Sequence, residues 1–136
     1  MSEPAPESID SAPELVLIVD DDEAVLEIAE EFLRRAGRET RLASCGRAAI
    51  DLFQKGSAEI DVVVLDLTMP DVDGREVFQS IRRVRPDVPV ILATGHAPDR
   101  LTANFSDDSR VSFLQKPYDP EQLLEAIRAA SGGRET

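Results

Sequence analysis

Val62-Val63-Val64-Leu65-Asp66-Leu67-Thr68-Met69-Pro70-Asp71-Val72-Asp73-Gly74 is the stretch whose reading decides the fold. Four apolar residues run together and stop on one aspartate, and a segment with a proline and a glycine follows. A short apolar run bounded by turn residues reads as a strand covered on both faces. Asp66 then stands at the carboxyl end of a central strand. In open parallel α/β sheets that edge is where ligands bind. A carboxylate is costly to bury there without partners.

The flanking sequence repeats the pattern. Leu15-Val16-Leu17-Ile18-Val19 is a second buried strand, and it ends on Asp20-Asp21-Asp22-Glu23. Val25, Ile28, Ala29, Phe32, Leu33 and Ala36 then recur as the inward stripe of an amphipathic helix that Gly37 stops. Glu39–Ala43 alternates, as a half-exposed edge strand does. A second helix starts at Ser44 to Gly46 and turns Ala49, Leu52 and Phe53 inward. Val77, Ile81 and Val84 mark a third helix after Gly74, closed by Pro86. Val90–Ala93 is continuous strand again, ending at Thr94-Gly95-His96. A fourth, weakly patterned helix is expected around Asp99 to Phe105. Val111–Gln115 alternates and ends at Lys116-Pro117. The last helix opens on Asp119-Pro120-Glu121-Gln122, where Asp119 caps and Gln122 reaches back, buries Leu123, Leu124 and Ile127, and ends at Gly132-Gly133.

Five strands alternating with five helices imply a doubly wound α/β fold with a five-stranded parallel sheet. Strands one, three and four are apolar throughout, and strands two and five alternate, so two and five belong at the edges. The order 2-1-3-4-5, flavodoxin-like (βα)5, meets this condition. Its switch point lies between strands one and three, which end on Asp20-Asp21 and Asp66.

The chain has 136 residues, enough for one domain with a sizeable core. Residues 1–13 are rich in Ser, Pro, Glu and Ala and read as a flexible acidic leader. Residues 14–131 form the expected domain and 132–136 a tail. The net charge is −12, with three of the acids in the leader, so the rest still carries −9. Such a surface repels nucleic acid and anionic membrane and favours a basic protein partner. No apolar run approaches the roughly 18 residues of a membrane span. The N-terminus lacks the regions of a signal peptide. The single Cys45 cannot form an internal disulfide, and it reads as a helix-start residue. A cytoplasmic location is expected.

Asp20, Asp21, Asp66, Thr94 and Lys116 thus gather at one sheet edge. Two unit charges about 4 Å apart repel by on the order of 4 kcal/mol near a protein surface. A hard divalent cation removes that cost. Mg2+ prefers oxygen ligands and is held by one or two carboxylates plus phosphate, with Mn2+ as an alternative. Lys116 supplies a compact positive charge and Thr94 a hydroxyl. The set suits phosphoryl transfer with Asp66 as an in-line nucleophile that forms an aspartyl phosphate.

These residues resemble the response-regulator receiver domain of two-component signalling over about residues 14–131. The features that carry the resemblance are Val19-Asp20-Asp21-Asp22, Leu65 to Pro70 with Asp73-Gly74, Thr94, and Lys116-Pro117. The resemblance implies that Asp66 accepts a phosphoryl group from a phosphohistidine on a sensor kinase or phosphotransfer protein. It implies Asp21 as direct metal ligand, Asp20 as a ligand acting through water, and Thr68 as a backbone carbonyl ligand. Thr94 and Lys116 would hold the phosphoryl oxygens. Thr94 and Phe113 would form the switch, which reshapes the face of the fourth helix, strand five and the last helix for a partner or a homodimer. Phe113 stands where the family often has Tyr, so the ring here has no hydroxyl. Thr68 and His96 occupy positions that tune loss of the phosphoryl group. No turnover of an external substrate is expected. The chain would act as a stand-alone regulator or as the receiver of a longer protein such as a hybrid kinase.

Two other readings remain. A Mg2+-dependent phosphatase of the haloacid-dehalogenase-like class also uses a strand-end Asp, a Lys and an acidic pair. It needs a second Asp two residues after the nucleophile, where this chain has Thr68, and its acidic pair comes last rather than first. An interaction module that never accepts phosphate is the third.

Overall fold

The computed structural model describes residues 14–69, 72–95, 105 and 108–132. The expected leader 1–13, the fourth helix over 99–104, His96 and the tail from 133 lie outside the described residues. In chain order come β1 (Leu15–Val19), α1 (Glu23–Arg35), β2 (Glu39–Ala43), α2 (Gly46–Gly56) and a single 3-10 turn (Ser57–Glu59). Then follow β3 (Val62–Asp66), α3 (Gly74–Val84), β4 (Val90–Thr94), β5 (Val111–Gln115) and α4 (Pro120–Gly132), the expected last helix. All pairings are parallel, in the order β2-β1-β3-β4-β5. The strand composition foretold this arrangement. β1, β3 and β4 are buried at every position, whereas β2 and β5 alternate and stand at the edges.

Strand alternation sends side chains to two cores. Val16, Ile18, Val62, Val64 and Ile91 meet Leu26 and Leu33 of α1 and Leu123 and Ile127 of α4. Leu17, Val19, Val63, Leu65, Val90 and Leu92 meet Phe53 of α2 and Val77 and Ile81 of α3. Each helix is set by its sequence ends. Asp22 caps α1, accepting from the N–H groups of Ala24 at 3.0 Å and Val25 at 3.4 Å. Gly37, at φ 87°, takes the left-handed turn after it. Cys45 caps α2 through Sγ, and Asp73 caps α3. Asp119 and Gln122 form the reciprocal box expected for α4, at 2.8 and 2.9 Å.

Three expected core residues face outward, Ala36 at the end of α1 being exposed along with two larger side chains. Ile28 is 57% exposed and Val84 39% exposed. On α1, Leu26, Ala29 and Leu33 carry the burial instead. The sheet meets a narrower stripe of the helix than the spread of apolar residues suggested. Val84 is the last residue of α3.

Candidate functional site

Register builds the site. Val19 pairs with Leu65, so Asp20 and Asp66 emerge one residue later or at the strand end at neighbouring levels. Asp66 pairs with Ala93, and Thr94 pairs with Gln115, which places Lys116 just beyond. Asp20, Asp66 and Thr94 are each 1% exposed. By alternation, Asp20, Asp66 and Lys116 continue the α1/α4 side of the sheet, whereas Thr94 and Phe113 continue the α2/α3 side.

Lys116 Nζ donates to Asp20 Oδ2 and to Asp66 Oδ2, both at 3.1 Å. Asp66 Oδ1 accepts from the Thr68 N–H at 2.9 Å and from Thr68 Oγ1 at 2.7 Å. Asp20 Oδ1 accepts from the Asp22 N–H at 2.9 Å. The Lys116-Pro117 peptide bond is cis, and the Lys116 N–H bonds the Thr94 carbonyl at 2.8 Å. Burial pushes the Asp20 carboxyl above its ordinary value, against the pull of Asp22 N–H and Lys116. Burial pulls the Lys116 ammonium down, but its bonds to Asp20 and Asp66 more than reverse this, and it ends raised.

Asp20, Asp21 and Asp66 offer carboxylate oxygens within 4.8 Å of one another. Asp21 is exposed and opens the cluster to solvent. With three carboxylates and one lysine, the cluster keeps an excess of negative charge and an all-oxygen donor set. Both features fit a hard divalent cation.

Thr68 was expected at the site, but not its bonds to Asp66, and Tyr118 was not expected there at all. Thr68 is a double donor to Asp66, a turn habit of Asp followed two residues later by a donor. Tyr118, two residues past Lys116, lines the mouth of the cleft with Asp22, Val25, Thr68, Gly95, Lys116 and Pro117. Burial, and then the Asp20 charge, pushes its phenol up to about 12. Phe113 is half-buried on β5, and Phe105 lies beside it with ring centroids 6.3 Å apart.

Acids at the switch point of a 2-1-3-4-5 sheet define a flavodoxin-like α/β module that binds at its strand carboxyl ends. The matching family model narrows that class: it describes the response regulator receiver domain and covers residues 16–128, and the chain belongs to this family. Among curated relatives, the response regulator MprA of Mycolicibacterium vanbaalenii is 38% identical over 119 residues, which is 86% of this chain and 50% of MprA. The sensor kinase CckA of Brucella abortus is 31% identical over 113 residues, 83% of this chain but 12% of the kinase. The chain thus spans half or less of the length of these relatives. The solved structure of the Vibrio cholerae chemotaxis protein CheY4 superposes with a TM-score of 0.81 at 27% identity, covering 88% of this chain and 99% of that one. Among the described residues, no helix is long and apolar enough to cross a membrane.

Proposed function

We propose that residues 14–131 are a phosphoacceptor module in which Asp66 takes a phosphoryl group from a phosphohistidine. The observation that carries this reading is the buried Asp66 at the end of β3, held 3.1 Å from Lys116 Nζ beside Asp20 and Asp21. A carboxylate oxygen of Asp66 forms the new P–O bond as the P–N bond to the donor imidazole breaks, leaving that imidazole neutral once it takes up a proton. Lys116 and Thr94 receive the phosphoryl oxygens. Lys116 already sits where negative charge grows, so it needs no reorganisation. Asp21, Asp66, the Thr68 carbonyl, and Asp20 through water would hold Mg2+ or Mn2+. The ion supplies charge neutralisation between carboxylate and incoming phosphate.

Thr68 supports transfer to the protein over turnover of a free phosphoester. It donates to Asp66 from two atoms, where a phosphatase would need a second carboxylic acid. Thr68 and His96 would set how long the phosphoryl group persists. The resulting charge would act on Thr94 and Phe113 and change the face of β5, α4 and the segment before β5. The donor is a sensor kinase or phosphotransfer protein, in keeping with relatives named as a sensor kinase and a response regulator. The output is protein contact, in the cytoplasm, with another protein, a second copy, or the rest of a longer chain.

Incubation with a small acyl phosphate and Mg2+ tests the reading. The expected product is one acid-stable, base-labile phosphoryl label on wild type and none on Asp66→Asn. Labelling that survives the substitution overturns the assignment.

A further inference from the structure

Arg82, in the last turn of α3, makes a set of bonds that the site chemistry does not use. Its guanidinium grips Asp108 with two nitrogens, Nε to Oδ2 at 2.6 Å and Nη2 to Oδ1 at 3.1 Å. Nη1 donates to the Val88 carbonyl at 2.7 Å and to the Arg85 carbonyl at 3.3 Å. The pair is mostly shielded, with side chains 14% and 23% exposed. This is the forked geometry in which arginine is directional and lysine is not.

Asp108 stands at the start of the turn into β5. Its Oδ1 also accepts from the Arg110 N–H at 2.9 Å, and its own N–H donates to the Phe105 carbonyl at 3.1 Å. Arg82 meanwhile lies over the Phe78 ring, 5.2 Å from the centroid. Phe78 meets Phe105 edge-on, with centroids 5.0 Å apart and planes at 84°. Phe105 meets Phe113 at 6.3 Å and 63°. Asp108 therefore holds the Phe105 backbone, and Arg82 reaches the Phe105 ring through Phe78. Phe105 in turn rests on Phe113.

We propose that the forked Arg82–Asp108 pair is a latch that keeps the Phe113 ring in the position seen here through Phe78 and Phe105. The inference rests on the reading of Phe113 as the switch residue. The stack forms in the conformation seen here, so weakening it raises this state relative to any in which the ring departs. The latch lies at the far end of β5 from Asp66. It would set the balance of the switch without touching the phosphoryl site.

The test uses protein with 13C-labelled phenylalanine rings, the Phe113 resonance being assigned by substitution. Wild type with and without acetyl phosphate and Mg2+ gives the full displacement of that resonance. Asp108→Asn, with no phosphodonor, is expected to move it by roughly a tenth of that displacement. The rate of Asp66 labelling by acetyl phosphate should change by the factor by which the population of the ring position that favours labelling changes. Arg82→Lys keeps the charge, loses the fork and should shift the resonance the same way, which covers the case of an unfolded Asp108→Asn. A folded variant whose stability falls while the Phe113 resonance stays put overturns the latch and leaves the pair a structural tie. If labelled wild type itself shows no displacement, the switch role of Phe113 fails, and the latch with it, whereas a shift in wild type but not in the variants removes the latch alone.

Discussion

Lys116 holds two carboxylates at once, 3.1 Å from each. Without Lys116, Asp20 and Asp66 would face each other with no cation between them. Breaking a buried pair by removing one partner costs several kcal/mol; Lys116 is 23% exposed, which reduces the figure. Lys116→Met should lower stability by about 1–3 kcal/mol at pH 7 without divalent ions. The pH dependence has a definite sign. The Lys116 ammonium is raised, so its contribution is complete at neutral pH and is lost only as pH climbs through that raised value, above 10.5. The Asp20 carboxyl is raised above 3.8, so its charge penalises the fold at neutral pH and the penalty is released as pH falls through the raised value. Urea unfolding should therefore show a Lys116→Met deficit that shrinks as pH falls through the raised Asp20 value. A deficit independent of pH would mean that Lys116 acts through packing of its stem and not through its charge.

Glycine and ion-pair chemistry position whole elements. A Cβ on Gly74 would stand 2.8 Å from Leu67 Cα and 2.8 Å from Leu67 Cδ2, so α3 starts where only glycine fits against the strand-end loop. Gly74→Ala gains up to about 1 kcal/mol of helix propensity, but overpacking against backbone costs about 1–3 kcal/mol. A net loss, with weaker Asp66 labelling as the loop shifts, is the expected outcome. Gly95 is the control, since nothing lies within 4 Å of a Cβ there. Gly95→Ala should stay within about 0.5 kcal/mol of wild type. The latch at the other end of the sheet has its own pH signature. Bonding to Arg82 holds the Asp108 carboxyl below its ordinary 3.8, against burial. Its contribution is therefore present above 3.8 and fades only as pH drops through the lower folded value. The stability difference between wild type and Asp108→Asn should be flat from pH 8 to 5 and shrink only as pH falls through the lowered value. If it changes above pH 5, Asp108 is not held by Arg82 as described.

At the scale of the molecule, strand composition carried most of the fold. Runs of apolar residues in β1, β3 and β4 can only be central, and alternation in β2 and β5 marks edges, so the order and the switch point followed from sequence. Asp20, Asp21, Asp66, Thr94 and Lys116 were legible because each lies at or just past the carboxyl end of a strand. Thr68 as a double donor and Arg82 as a partner of Asp108, 26 residues away, were not, since turn geometry and long-range pairing leave no periodicity. Ile28 was misplaced because helical spacing says which residues share a face but not how wide a stripe the sheet covers. A ligand that binds only the folded state stabilises all of these elements together. At free Mg2+ ten times its dissociation constant the gain is about 1.4 kcal/mol, roughly 4–8 °C in Tm for a domain of this size. Thermal unfolding of Asp21→Ala should lose most of that shift while keeping its ion-free stability within about 0.5 kcal/mol, because Asp21 is exposed. Asp20→Ala should retain part of the shift, since Asp20 is proposed to act through water and is already bonded to Lys116 and the Asp22 N–H. Equal losses in the two variants would show that the buried and the exposed acid hold the ion alike, and the distinction between direct and water-mediated ligand would fall.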